Sequence, residues 1–179
     1  MTVLAPQKKK KSTAREILEW GAVILCAVAA ALIIRSLVFE PVRVIGSSMA
    51  ETLHDGEIML VTKYEYLLGD PKRFDIVICN YPNRSENFVK RVVGLPGDTV
   101  QVKNGTLYVN GEAQEEGYIT HAPNYAMDPY VVPEGEYFVL GDNRSNSNDS
   151  HILGSITRSQ IKGHVRSVFF PFDTMRDIR

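Results

Sequence analysis

Hydrophobic positions fall into two regimes along this chain of 179 residues. Residues 20–34, WGAVILCAVAAALII, are 15 consecutive positions without a charge. Beyond about Glu40, apolar residues come in short runs, many of them β-branched or aromatic and several alternating with polar partners. PVRVIG (41–46), EIMLVTKY (57–64), DIVICNY (75–81), FVKRVVG (88–94), DTVQVKNGTLYVNG (98–111), EYFVLGD (136–142) and HVRSVFF (164–170) read as strands, because such residues fit a pleated, half-buried surface. Asn104-Gly105, between TVQVK and TLYVN, is the sharpest hairpin signal, since both residues accept the positive φ of a tight turn. Val100, Val102, Leu107 and Val109 alternate with polar neighbours, and Asn110-Gly111 closes that unit. Residues 112–133 have a poorer pattern, broken by Pro123, Pro129 and Pro133, and are expected as a long, partly irregular insertion. Residues 157–163 suit a short helix. The architecture expected is mostly β: an all-β domain rich in hairpins, preceded by one N-terminal helix.

The first regime has directional flanks. Lys8 to Lys11 form a basic run, followed by Arg15. At about 1.5 Å per residue, residues 20–34 cover ~22 Å, short of a hydrocarbon core of ~30 Å. Continuing through Arg35 to Phe39 gives the length, with Arg35 near enough to the end to reach the headgroups. Trp20 would mark the opposite interface, and Pro41 stops the helix soon after. A basic start followed by AVAAA also suits a cleavable export signal. Apolar sequence continues past those alanines, which favours an uncleaved anchor, and the lysine run speaks against a buried core helix. The excess of lysine then places residues 1–16 in the cytoplasm, a transmembrane anchor over 17–39, and residues 40–179 outside the cell membrane.

Composition narrows the function classes. The chain is 44% hydrophobic and 23% charged, ordinary for a globular domain with a real core. A formal net charge of -1 argues against a general nucleic-acid binder. Cys26 and Cys79 make no disulfide framework, and with no C-x-x-C or histidine pair beside either, free thiols and no zinc site are expected.

Chemistry enters at ENFVKRVVGLPGD, residues 86–98. In a strand, Phe88, Lys90 and Val92 share one face, and Val89, Arg91 and Val93 the other. Whichever face is buried, a long basic side chain goes in with the valines, although unpaired lysine and arginine are almost never fully buried. A buried lysine loses the solvation of its charged form, and a neutral amine within hydrogen-bond reach of a hydroxyl is a competent base. VIGSSMAETL, residues 44–53, supplies serines after a strand, with Gly46 to let the backbone turn and Met49 as a soft apolar neighbour. GDNRSNSNDSHILG, residues 141–154, is a dense polar loop directly after an apolar strand, with the composition of an ordered hydrogen-bond network. Taken singly, each stretch has a blander reading: a turn serine, an edge-strand lysine, a solvated loop. The four histidines make no Ser-His-Asp triad, because none has an obvious orienting acid except His151.

In this order, SMAETL, RFDIVICNYP…FVKRVVGLPGDTV and GDNRSNSNDS resemble the successive boxes of bacterial type I signal peptidases, serine–lysine proteases that remove signal peptides from exported proteins. The resemblance runs over the apolar segment and nearly all of the β region. It implies Ser48, the serine immediately before the methionine, as nucleophile and Lys90 as general base. Lys90 then points inward and Arg91 faces the other way. It further implies that Ser147 orients Lys90, that Asp149 fixes the polar loop, and that Asp142, Asn143 and Arg144 support it. Gly46 and Met49 flank the nucleophile. The partners implied are signal peptides and the lipid bilayer, with no cofactor, metal or nucleic acid.

Departures from the family pattern are visible. Glu51 stands where proline usually stiffens the turn, and adds a charge expected to disfavour acidic residues around the cut. His151 stands where arginine often follows the Asp-Ser pair, and a histidine pairs well with Asp149 only when protonated. Gly46 replaces a hydroxyl that in some members completes the oxyanion hole. Two rivals follow: a self-cleaving repressor with the same Ser–Lys pair, disfavoured by the apolar N-terminal run, and a non-catalytic, membrane-tethered β domain that binds peptides without cutting.

Overall fold

The computed structural model describes residues 13–37, 39–82, 84 and 86–178. The basic run Lys8–Lys11 lies outside them. The chain divides into two compact units, with the boundary between Ser36 and Leu37.

Among the described residues, the first unit is helix α1 (Thr13–Leu37, 25 residues), whose last residue falls just past the boundary. Arg15 Nε donates to Glu19 Oε1 at 3.2 Å, an i,i+4 pair on its first turns. Trp20, Val23, Ile24, Leu25, Val28 and Leu32 are all exposed, so the helix is apolar on every side rather than along one stripe. Among the described residues, no helix is long and apolar enough to cross a membrane. The expected continuation of the apolar run over 33–39 falls on side chains outside the described ones.

The second unit is mostly β, as the sequence pattern predicts. Its elements in chain order are β1 (Phe39–Arg43), β2 (Ile58–Thr62), α2 (Glu65–Leu68), β3 (Ile76–Cys79), β4 (Phe88–Gly94), β5 (Thr99–Lys103), β6 (Thr106–Val109), β7 (Glu112–Ala113), β8 (Met127–Val131), β9 (Glu136–Leu140), α3 (Ser150–Leu153), β10 (Ile156–Thr157), β11 (Ile161–Phe170) and β12 (Arg176–Asp177). One antiparallel sheet runs β1-β2-β11-β3-β4-β9-β10, with β12 also paired to β11; a smaller one runs β7-β6-β5-β8. Asn104 and Gly105 both take positive φ, 53° and 75°, which is the tight turn expected between β5 and β6.

Alternation along the strands sorts side chains onto two apolar layers. On β3, Ile76 and Ile78 join Met49, Leu53, Met59 and Val165, while Val77 and Cys79 join Tyr81, Val92, Val139 and Ile156. A third cluster, with Val93, Val100, Leu107 and Phe138, ties the smaller sheet to the larger. The middle of the large sheet is therefore covered on both faces. This corrects one expectation: Arg91 does face opposite Lys90, yet both are buried, each 1% exposed. Cys26 and Cys79 are free thiols.

Two further corrections follow from tertiary pairing. Residues 157–163 form only a 3-10 turn, Arg158–Gln160, capped reciprocally by Thr157 and Gln160. The chain extends from Ile161 because Ile161, Gly163 and His164 pair with β3. The region expected as irregular, 112–133, contains β8, which pairs with β5 despite Pro129. As the last member of its sheet order, β8 can tolerate a proline that donates no ladder hydrogen bond.

Candidate active site

β4 supplies the amine. Lys90 sits opposite Val77 in the sheet, on the layer that contains Val92 and Cys79. Its Nζ lies 2.7 Å from Ser48 Oγ and 3.0 Å from Ser147 Oγ. Burial pushes the amine below its ordinary value of 10.5, partly opposed by the charge of Asp149 and, more weakly, of Asp142. The same burial lifts the Cys79 thiol to about 12, so the neighbouring sulfur stays protonated.

The serine comes from the turn after β1. Gly46 takes φ +91°, and its N–H donates to Asp55 Oδ1 at 2.8 Å, which bends the chain just before Ser48. Ala50, Thr52 and Leu53 N–H groups bond back to Ser47 and Met49 carbonyls, closing a compact turn. Met49 is buried, and its sulfur accepts from the Asp142 N–H at 3.4 Å. The polar loop grips the turn from the other side: Asn143 N–H donates to Ser48 O at 3.1 Å, and Asn143 Nδ2 to Ser47 O at 3.0 Å. Asn146 Nδ2 donates to Ser47 Oγ at 2.9 Å.

That loop is ordered by buried charge. Arg91 makes a bidentate pair with Asp142, Nε–Oδ1 2.9 Å and Nη2–Oδ2 2.8 Å, and Thr52 Oγ1 donates to the same carboxylate at 2.5 Å. Arg144 pairs with Glu116 through Nη1–Oε2 at 2.8 Å and Nη2–Oε1 at 2.5 Å, and its Nε donates to Gly141 O. The Tyr118 ring lies 3.8 Å from the Arg91 guanidinium carbon. Asp149 caps α3, accepting from His151 N–H at 3.2 Å and from Gly141 N–H at 2.8 Å. Burial would raise its carboxyl, but the His151 ring, the Gly141 N–H and the Ser147 hydroxyl hold it below the usual value.

Gly141 explains how these segments meet. A Cβ there would lie 2.2 Å from Ser147 Oγ and 2.5 Å from Ser48 O. Only a residue without a side chain lets the loop and the serine turn close on Lys90. Sequence reasoning missed Gly141, Thr52, Glu116 and Tyr118. The last two sit in the poorly patterned insertion, where nothing local marks them as partners of Arg144 and Arg91.

The geometry brings all the expected residues, Gly46, Ser48, Met49, Lys90, Ser147 and Asp149, to one place. Two adjoining clefts open on Ser48. The larger, of about 500 Å³, is lined by Val42, Ile45, Met49, Ile78 and Phe88 among others; the smaller, of about 260 Å³, exposes Ser48, Lys90, Asn146 and Ser147. Gly46 borders both. Glu51 lines neither, its carboxylate being held by Thr120 and His121. Among the described residues, no group of three or more His, Cys, Asp or Glu side chains is placed to hold a metal.

A buried amine against a serine hydroxyl, at the edge of an apolar cleft, is equipped for attack on a carbonyl: the hydroxyl can be the nucleophile and the amine its base. A β domain that presents such a pair fits the class of serine hydrolases. The family model described as "Signal peptidase, peptidase S26" matches residues 17–170, and the chain belongs to that family, as a serine endopeptidase. It is similar to Signal peptidase I T of Bacillus subtilis, 45% identical over 97% of this chain and 95% of that one. It is 42% identical to Signal peptidase I of Bacillus licheniformis, over 95% of this chain and 97% of that one. A crystal structure of a signal peptidase I from Enterococcus faecalis is 34% identical, covering 54% of this chain and 97% of that one, with a TM-score of 0.47.

Proposed function

We propose that this protein removes N-terminal signal peptides from exported pre-proteins, as a membrane-anchored endopeptidase with Ser48 as nucleophile and Lys90 as general base. The observation that carries the reading is the 2.7 Å contact between Ser48 Oγ and a lysine amine that burial keeps below its ordinary pKa. Membership of the family and the close similarity to named signal peptidases support the substrate class.

Neutral Lys90 takes the Ser48 proton as Oγ attacks the scissile carbonyl. The Ser48 N–H is the first donor to the resulting oxyanion. Lys90 then gives its proton to the leaving amine, and the ester is hydrolysed by a water that Lys90 deprotonates in turn. Ser147, 3.0 Å from Nζ, holds the amine on the Ser48 side. The substrate binds extended, with alternate small apolar side chains entering the cleft beside Val42, Ile45 and Met49. α1 is the anchor: its exposed apolar surface suits lipid, and the lysine run keeps its N-terminus in the cytoplasm and the β unit outside.

The test is cleavage of a pre-protein by the full chain in detergent. Wild type cuts, and Ser48→Ala does not. A Ser48→Ala variant that still cleaves would refute the reading. On intact protoplasts, added protease should digest residues beyond about 40; protection of the β unit would refute the orientation.

A further inference from the structure

The contacts of Lys90 do not end at Ser147. The Ser147 hydroxyl also helps hold the carboxyl of Asp149, which is fully buried, below its usual value. Asp149 Oδ1 lies 2.6 Å from His151 Nδ1. The His151 ring is stacked on Tyr125, centroids 4.1 Å apart and 12° from parallel, with its side chain 15% exposed. Hydrogen bonds therefore join Ser48, Lys90 and Ser147 on one side, and Asp149 and an imidazole that solvent can reach on the other, with the Asp149 charge acting on Lys90 between them.

Resting on the Ser48–Lys90 reading, we propose that His151 is a positioning residue that acts on Lys90 through Asp149, so that the charge carried at position 151 sets where activity is lost on the acid side. With a neutral ring, Nδ1–H donates to Asp149 and the carboxylate keeps its full negative charge. That charge faces Lys90 on β4 and favours the protonated, inactive amine. With a protonated ring, the Asp149–His151 pair is neutral overall, and Lys90 gives up its proton more readily. An arginine at this position would cancel Asp149 at every pH, whereas a glutamine would never do so.

The other groups facing this pair are few. Tyr125, from the segment before β8, covers the ring and stays neutral, because burial and Asp149 raise its hydroxyl. Arg144 and Glu116, near Tyr125, are paired with each other and compensate. Cys79 on β3 faces Asp149 and stays protonated.

The experiment is the pH dependence of kcat/KM for pre-protein cleavage, from about pH 5 to 9. Full-length wild type, His151→Arg and His151→Gln are compared in detergent. The acidic midpoint of His151→Arg should move down by about one pH unit, and that of His151→Gln up, as expected of a unit charge acting across one neighbouring group at an effective dielectric of about 20. Wild type should lie between them. A purely structural role would change the plateau and leave the midpoint in place. Superimposable limbs, whatever the plateaus, overturn the proposal, and if His151→Gln does not fold, an unshifted limb in His151→Arg alone does so. Cleavage by Ser48→Ala would remove the underlying reading instead; an inactive Ser48→Ala with unshifted limbs removes only the role of His151.

Discussion

Replacing Gly141 by alanine tests whether the closeness of three chain segments makes the site. The added Cβ would lie 2.2 Å from Ser147 Oγ, 2.7 Å from Ser147 Cβ and 2.5 Å from the Ser48 carbonyl oxygen. Ordinary van der Waals contact begins near 3.4 Å, so the loop and the serine turn must part by about 1 Å. The Ser147 hydroxyl could rotate aside, but its Cβ and the Ser48 backbone cannot. Overpacking of this kind costs about 1–3 kcal/mol, which a domain of about 5–15 kcal/mol survives. The catalytic effect is larger, because a misplacement of about 1 Å at reacting groups costs on the order of 100-fold in rate. The expected result is a folded protein with a slightly lower melting temperature and kcat reduced about 100-fold. KM should change little, since the three atoms nearest the new methyl belong to Ser147 and the Ser48 backbone, not to Val42, Ile45 or Phe88 in the larger cleft. Steady-state cleavage of a pre-protein in detergent, with kcat and KM resolved and a thermal melt alongside, measures this. Gly117→Ala is the control, because a Cβ there meets nothing within 4 Å. A Gly141→Ala enzyme with wild-type kcat would show that the segments can separate without cost, and that Ser147 does not position Lys90.

Lys90→Arg should be inactive, since a guanidinium stays protonated and cannot accept the Ser48 proton; cleavage by that variant would refute the mechanism. The wild-type rate should rise with pH through a value below 10.5, because only the neutral amine is a base; the stability cost of burying Lys90 is full below its folded pKa and fades as pH rises to the unfolded value, so denaturant midpoints should increase across that window. Arg91→Met should cost about 3–5 kcal/mol by leaving the Asp142 carboxylate buried without its partner, read as a fall in the urea midpoint, and Arg91→Met with Asp142→Leu should recover most of it. Glu51 is held by Thr120 and His121 and lines neither cleft, so wild type and Glu51→Pro should discriminate equally among pre-proteins with Asp, Ala or Lys beside the cut; a loss of discrimination in Glu51→Pro would place its charge at the substrate after all.

By itself, the sequence determined the strands whose patterns are local. The Asn104-Gly105 turn, the alternation of β5 and β6, and the apolar runs of β3, β4 and β9 all formed where periodicity and turn chemistry placed them. It also singled out Lys90, because a basic residue among valines conflicts with burial and invites a functional reading. Which long-range partners resolve that conflict was a tertiary decision. Arg91 reaches Asp142 across 51 positions, and Arg144 reaches Glu116 across 28, a residue in a stretch without periodicity. The place of β11 between β2 and β3 turned an expected helix into a 3-10 turn and a strand, because pairing outweighed the weak helical propensity of residues 157–163. The proline-interrupted β8 formed because an edge position forgives a missing donor. Gly141 reads as a loop glycine until Ser147 and Ser48 are seen on either side of it. A local pattern carries the preferences of a few neighbouring residues, whereas the closeness of Ser48, Lys90 and Ser147 comes from contacts between segments 42 and 57 residues apart, which only the assembled sheet can specify.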